Sequence, residues 1–172
     1  MRQLRVLVTI AVALALQTTL ARFLVHGPIG VDLVLVAVVY LGLTTGPTAG
    51  VVSGTLAGLA QDALSSGIIG IGGLAKTVVG YLTGIAGTQF IVARPIPRFV
   101  VFVAATILHA VLFMGAYELL GVRHFGFPWS GVLSQGGVNA IVGVVAFQAI
   151  ELLPGAVERR AANRGRLKRR LD

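Results

Sequence analysis

The stretch that decides the fold is GPTAGVVSGTLAGLAQDALSSGIIGIGGLAKTVVGYLTG, residues 46–84. Glycines recur in it every four residues, which places them on one face of a helix. They are Gly46, Gly50, Gly54 and Gly58 before the central SSGIIGIGG turn, and Gly80 and Gly84 after it. In a soluble helix each glycine costs about 1 kcal/mol relative to alanine, whereas in lipid a face without side chains lets two backbones pack closely. The stretch therefore predicts a membrane hairpin whose two glycine faces meet.

The composition of the whole chain is that of a membrane protein. Hydrophobic residues make up 56% of the 172 residues and charged residues 12%, against roughly 25% charged in soluble domains. The chain has no cysteine, which excludes a disulfide framework and thiol chemistry. Its three histidines show no ligand spacing, so we expect neither a metal nor another cofactor.

The apolar segments predict an all-α, polytopic fold with about six membrane-spanning helices. Their approximate ranges are 4–21, 32–44, 47 to the turn at 65–73, 74–92, 99–120 and 132–153. Asp32 is expected to cap the second helix, and Pro47 fits the first turn of the third. The segments ARPIPR (93–98) and Pro154-Gly155 are predicted to be non-helical. The chain would then consist of a six-span domain, residues 1–157, and a basic cytoplasmic tail, residues 158–172.

The distribution of lysine and arginine predicts the orientation in the membrane. With the N-terminus inside, eleven of these residues fall on the inner side, and only Arg22 and Arg123 fall outside. The positive-inside rule then places both termini in the cytoplasm. The same distribution accounts for the net charge of +8. Nucleic-acid binding is not expected, because no stacking aromatic residues accompany the arginines of the tail.

Two charged residues lie within the predicted hairpin. Asp62 and Lys76 are each seven residues from Ile69, so both should reach the same depth on antiparallel helices. A charge inside a span costs roughly 2.5–3.5 kcal/mol, which favours pairing. We consider a structural pair that closes the hairpin, two separately solvated charges, and an ion or substrate site.

Other polar residues lie in or near the predicted spans. They are Gln61, Tyr81, His109, Gln135 and Asn139, of which the last two are four residues apart and could share a partner. Interhelical hydrogen bonds of about 0.6 kcal/mol each account for such residues without a ligand. A serine–histidine protease built on Ser53 and His109 is disfavoured, since the two would differ in depth by roughly 6 Å.

The order and spacing of the hairpin residues resemble those of the rod shape-determining protein MreD family. The matching features are QD at 61–62, LSSG at 64–67, Gly70 and LAKTVVGYLTG at 74–84, together with QTTLAR at 17–22 and PIGVDLVLVAVVYLGLTTGPTAG at 28–50. The resemblance covers nearly the whole chain and is most specific over residues 46–84.

The resemblance implies a non-catalytic scaffold subunit of the bacterial cell-wall elongation complex (the elongasome), which supports cell shape and peptidoglycan synthesis in the cytoplasmic membrane. Its implied partners are MreC, a single-span protein, together with RodA, its transpeptidase partner and MreB filaments, and membrane lipid surrounds it. The family is also similar in fold to the S components of energy-coupling-factor transporters. A subunit that binds a small, vitamin-type solute is therefore the alternative function.

A second row of small residues lies in the first predicted helix. Ala11, Ala15 and Thr19 are four residues apart, and the hairpin contact cannot use both this row and the glycine row. Because close packing drives helix association in lipid, an unused row is a docking face for the single span of a partner. The resemblance names MreC as that partner.

Overall fold

The computed structural model describes residues 2–19, 30–65, 67–89, 94–124, 126 and 129–168, with side chains between Gln3 and Leu152. These ranges contain helices and no strand. The helices are α1 (Arg2–Thr19), α2 (Leu33–Thr45), α3 (Pro47–Leu64), α4 (Ile71–Gln89), α5 (Pro95–Leu119) and α6 (Trp129–Lys168). Arg22, Ser66 and the last four residues of the predicted tail lie outside the described ranges.

The helices differ in how clearly they qualify as membrane spans. Among the described residues, Pro95–Leu119 and Trp129–Leu152 are both long and apolar enough to cross a membrane. Gln3–Thr19 and Leu33–Thr45 are apolar but shorter. The all-helical prediction is thus confirmed, and two of the six expected spans are evident from length and composition.

Helix α2 is the centre of the bundle and packs against each of the other five helices. Its sequence is apolar on every side, which is typical of a helix surrounded by protein. Val34, Val38 and Leu41 are completely buried. One apolar cluster joins α2 to α1 and α3, and another joins it to α4, α5 and α6.

Two helix starts agree with the sequence and two differ. Pro47 occupies the first turn of α3, and the Asp32 carboxylate caps α2 by accepting a hydrogen bond from the Leu35 N–H. Helix α4 begins at Ile71 instead of about residue 74, because Asp62 accepts from N–H groups at its start. Helix α5 already begins at Pro95, so the prediction that residues 93–98 exclude helix was wrong. Proline is tolerated in the first turn, where its missing N–H would have had no helical acceptor.

Helix α6 continues past Pro154-Gly155 to Lys168, where the sequence predicted an end. Proline inside a helix removes one hydrogen bond and costs about 3 kcal/mol. The following residues, AVERRAANRGRLK, are rich in alanine, arginine and other strong helix formers, which favour continuation. The residues predicted as a separate tail therefore begin as an extension of α6.

Candidate functional site

The glycines of α3 and α4 form a seam in which the two backbones touch. A Cβ atom added at Gly50 would collide with the backbone of Gly80, and one at Gly54 with the backbone of Lys76. Gly58 and Gly84 face the backbones of Gly73 and Pro47 in the same way. Gly46 lies instead in the turn between α2 and α3, where its φ of +93° suits glycine.

The predicted pairing of Asp62 with Lys76 does not occur. The Asp62 Oδ2 accepts hydrogen bonds from the backbone N–H groups of Gly70, at 2.8 Å, and Gly73, at 3.1 Å. These groups belong to the start of α4, whose first N–H groups have no helical acceptor and whose positive dipole end favours a carboxylate. Asp62 therefore caps the second helix of the hairpin, and Lys76 is left to a different partner.

That partner is Asp32, at the start of the central helix. The Lys76 Nζ lies 3.1 Å from the Asp32 Oδ2 and 3.0 Å from the His109 Nε2 of α5. The lysine and aspartate side chains are only 4% and 11% exposed. A buried charge is tolerated only when it is paired and hydrogen-bonded, and here each charge neutralises the other.

Three further polar side chains surround this ion pair. The Asn139 Oδ1 accepts from the Asp32 N–H at 3.0 Å, and its Nδ2 donates to the Thr106 Oγ1 at 3.2 Å. The Gln17 Nε2 donates to the Val31 carbonyl at 3.1 Å, while its Oε1 accepts from the Leu33 N–H at 2.8 Å. We call these six residues the polar network: Gln17, Asp32, Lys76, Thr106, His109 and Asn139.

The polar network joins five of the six helices in the interior of the bundle, on the side of the hairpin turn. Its side chains at the start of α2 are bound by side chains or backbone of four other segments. These are the end of α1, the first half of α4, and the facing parts of α5 and α6. Its charged and amide groups bind one another or backbone, which fixes the relative positions of these helices.

A row of rings connects the polar network to the turn of the hairpin. His109 stacks on Phe113 at a centroid distance of 5.8 Å, and Phe113 contacts Tyr117 at 5.0 Å. The Tyr117 hydroxyl accepts a hydrogen bond from the Ile68 N–H at 3.0 Å. Helix α5 thereby supports both Lys76 and the turn that precedes α4.

A second ion pair lies at the opposite end of the bundle, between α5 and α6. The Arg98 guanidinium binds the Glu151 carboxylate with two hydrogen bonds of 2.9 and 2.7 Å. The same group lies 3.8 Å from the centre of the Phe147 ring. Arg98 is buried, whereas the Glu151 side chain is 53% exposed. We call this end of the bundle the basic end, because α1 and α5 begin here with exposed Arg5 and Arg94.

The other predicted polar residues occupy different environments. Gln61 is half-buried, and within the described part of the chain its Oε1 has no hydrogen-bond partner. Tyr81 is 46% exposed. Gln135 lies beside Gly30, while Asn139 binds Asp32 and Thr106, so the two do not share these partners.

The Ser53 and His109 side chains do not form a hydrogen bond with each other. The Ser53 hydroxyl donates to the Gly50 carbonyl at 3.1 Å, within its own helix, and the His109 Nε2 faces Lys76. A nucleophile and its base would have to lie within hydrogen-bond reach of each other. The arrangement is that of two structural side chains.

Sequence reasoning gave Asp32 only a capping role and missed the Arg98–Glu151 pair. One signal was available for Asp32, because a carboxylate directly before the most apolar helix needs a nearby cation. For Arg98 and Glu151 the signal was their similar depth, since Arg98 directly precedes the fifth predicted span and Glu151 lies two residues before the end of the sixth.

The described residues form a bundle of helices, several of them apolar, which the glycine seam and the buried polar network hold together. The chain matches the family model described as rod shape-determining protein MreD over residues 1–152. It therefore belongs to the MreD family, which confirms the resemblance and implies a role in determining rod shape. No curated protein and no solved structure matches the chain. The family and the apolar helices together indicate a membrane protein of a shape-determining class that is not a known enzyme family.

Proposed function

We propose that this protein is a non-catalytic scaffold subunit of the cell-wall elongation complex in the bacterial cytoplasmic membrane. All six helices cross the membrane, with the basic end and residues 158–172 in the cytoplasm. The scaffold binds the single span of MreC and belongs with RodA, its transpeptidase partner and MreB. Family membership supports the shape-determining role, and the outward face of α1 supports the binding of another helix.

The observation that carries the proposal is the contrast between the two rows of small residues. The glycines of the seam are covered where α3 contacts α4, whereas Ala11, Ala15 and Thr19 are all exposed. The opposite face of α1, which includes Val6 and Ile10, is buried against the bundle. The outward side of α1 therefore carries this row of small residues beside the exposed Val12 and Leu16, and a partner helix can approach the backbone along the row.

The docking face can be tested by the double substitution Ala11→Leu/Ala15→Leu. The larger side chains should hold a partner helix away without affecting the buried face of α1. We expect normal accumulation in the membrane, loss of most co-purified MreC and rounding of rod-shaped host cells. The measurements are the amount of MreC retained in mild detergent and the ratio of cell length to width.

Ala104→Leu is the control for this experiment, because Ala104 is an exposed alanine on α5, away from the docking face. This variant should keep both MreC and rod shape. If the α1 variant keeps MreC and cell shape but abolishes uptake of a small nutrient, the transporter-subunit function replaces the scaffold.

The proposed topology predicts which introduced cysteines react with a reagent that cannot cross the membrane. The chain has no cysteine of its own, and Ile69, Ser130 and Ile96 are all exposed. Single cysteines at positions 69 and 130 should be labelled from outside intact spheroplasts, and one at position 96 only after lysis. Labelling in the reverse pattern would contradict the proposed orientation, and labelling at all three positions would contradict the span count.

A further inference from the structure

Tyr81 lies near the middle of α4, with ten residues of the helix before it (71–80) and eight after it (82–89). Its side chain is 46% exposed, and Thr83, which contacts α2, lies on the opposite side of α4. The helix is about 28 Å long, close to the roughly 30 Å of the hydrocarbon layer. If α4 crosses the membrane as proposed above, Tyr81 therefore faces outward near the middle of the bilayer.

The Tyr81 hydroxyl makes no hydrogen bond to any of the residues that the structure describes. Lipid tails cannot supply one, because the hydrocarbon layer contains neither donors nor acceptors. The nearer membrane surface is about 14 Å from the middle of the helix, about twice the reach of a tyrosine side chain. Membrane tyrosines are enriched at the surfaces, where the hydroxyl contacts water or headgroups. A hydrogen-bonding group from another protein surface is therefore needed at this depth.

Two threonines beside Tyr81 have unused acceptor capacity. The Oγ1 atoms of Thr55 and Thr77 lie 2.8 Å apart across the hairpin, and each is also hydrogen-bonded to a carbonyl of its own helix. A hydroxyl has one proton and two lone pairs, so these bonds leave at least one lone pair unused on each oxygen. Both side chains are partly exposed, and Thr77 is one turn from Tyr81 on the same face. The pair can therefore accept a hydrogen bond from outside the bundle.

The Tyr81 hydroxyl and the threonine pair lie at nearly the same depth. Side chains of a helix point towards its N-terminus, so the tyrosine ring extends from position 81 towards the level of Thr77. Two copies of a membrane protein share one orientation, and a two-fold axis normal to the membrane brings equal depths together. Each copy then offers the acceptor that the other copy's hydroxyl lacks, so this surface is complementary to itself.

We propose that two copies of this protein associate through the face of α3 and α4 that carries Thr55, Leu59, Leu74, Thr77 and Tyr81, which we call the hairpin face. Each Tyr81 hydroxyl donates a hydrogen bond to the Thr55–Thr77 pair of the other copy. Leu59 and Leu74, which are 39% and 65% exposed, add apolar contact area. The inference rests on the proposed crossing of the membrane by α4 but not on the binding of MreC.

A second copy fits the hairpin face better than lipid tails or the span of MreC. Lipid tails would leave the Tyr81 hydroxyl without a hydrogen bond. MreC is assigned above to the exposed row of α1, and among the described residues α1 contacts α2 and α3 but not α4. A dimer formed through the hairpin face therefore leaves the docking faces of both copies open, and the complex would contain two copies of each protein.

The hydrogen bond can be tested with Tyr81→Phe, which removes only a hydroxyl from an exposed side chain. Tyr40→Phe is the matched control, because Tyr40 packs against Phe147 within the bundle. The purified proteins, labelled through a single cysteine at position 96, are placed in lipid vesicles without MreC, and energy transfer is measured as the protein-to-lipid ratio varies. Tyr81→Phe should raise the dissociation constant of the dimer at least about fivefold, because two symmetric bonds are lost, and Tyr40→Phe should not. Equal constants for the two variants, or a wild-type protein that stays monomeric, would overturn the proposal.

The position of the contact can be tested by disulfide cross-linking in the same vesicles, since the chain has no cysteine. Leu74→Cys, on the hairpin face, should cross-link two copies, whereas Val145→Cys, 59% exposed on α6, should not. The reverse pattern would contradict the proposed interface. Ala11→Leu/Ala15→Leu should dimerise like the wild-type protein whether or not it binds MreC, so a failure of the scaffold proposal leaves this result intact. Dissociation of the dimer when MreC is added would instead assign the hairpin face to MreC.

Discussion

Replacing Lys76 with methionine should lower the free energy of unfolding by about 3–5 kcal/mol, the usual cost of leaving one buried charge without its partner. The side chain keeps most of its volume, but the Asp32 carboxylate loses the ammonium group 3.1 Å away. Unfolding in mixed detergent micelles, followed by circular dichroism, would measure the loss.

Two double variants distinguish a true ion pair from general damage. Asp32→Asn keeps a side chain that caps helices well, so Asp32→Asn/Lys76→Met should recover much of the stability lost in the single variant. Asp62→Asn/Lys76→Met should show nearly additive losses, because Asp62 binds the start of α4. Recovery of stability in the second double variant, and not in the first, would instead support the originally predicted pairing of Asp62 with Lys76.

Replacing Gly50 with alanine should destabilise the protein by about 3 kcal/mol, at the upper end of the usual cost of overpacking. The added methyl group would meet the backbone of Gly80, which cannot move aside as a flexible side chain could. Helices α3 and α4 would have to separate along the seam. The same unfolding measurement applies.

Gly115→Ala is the matched control, because a Cβ atom at Gly115 in α5 would meet nothing within 4 Å. At this position the intrinsic helix propensity of alanine should dominate, and the free energy of unfolding should rise by up to about 1 kcal/mol. Similar effects of the two substitutions would show that the seam is not closely packed in the membrane.

Features that depend on local helical periodicity could be predicted from the sequence, whereas contacts between distant segments could not. The four-residue spacing of the glycines was sufficient to predict the seam, because helical geometry alone places Gly50 and Gly54 on one face. The start of α3 at Pro47 was equally local. The partner of Lys76 was not predictable in this way, since Asp32 is 44 residues away and the relative register of α2 and α4 depends on packing. Distance from the turn gave Asp62 and Lys76 equal depth, but not the direction in which each side chain points.

The length of the central helix gives the polar network a further meaning. Helix α2 has only 13 residues, so it is about 20 Å long, whereas the hydrocarbon layer is about 30 Å thick. Helices that are too short for the bilayer usually thin it locally or place flanking polar groups towards the surface. Here neighbouring helices surround the short one, and Gln17, Asp32 and Asn139 bind its backbone where water would otherwise be needed. If α2 crosses the membrane as proposed, it begins below the membrane surface, where these side chains take the place of water.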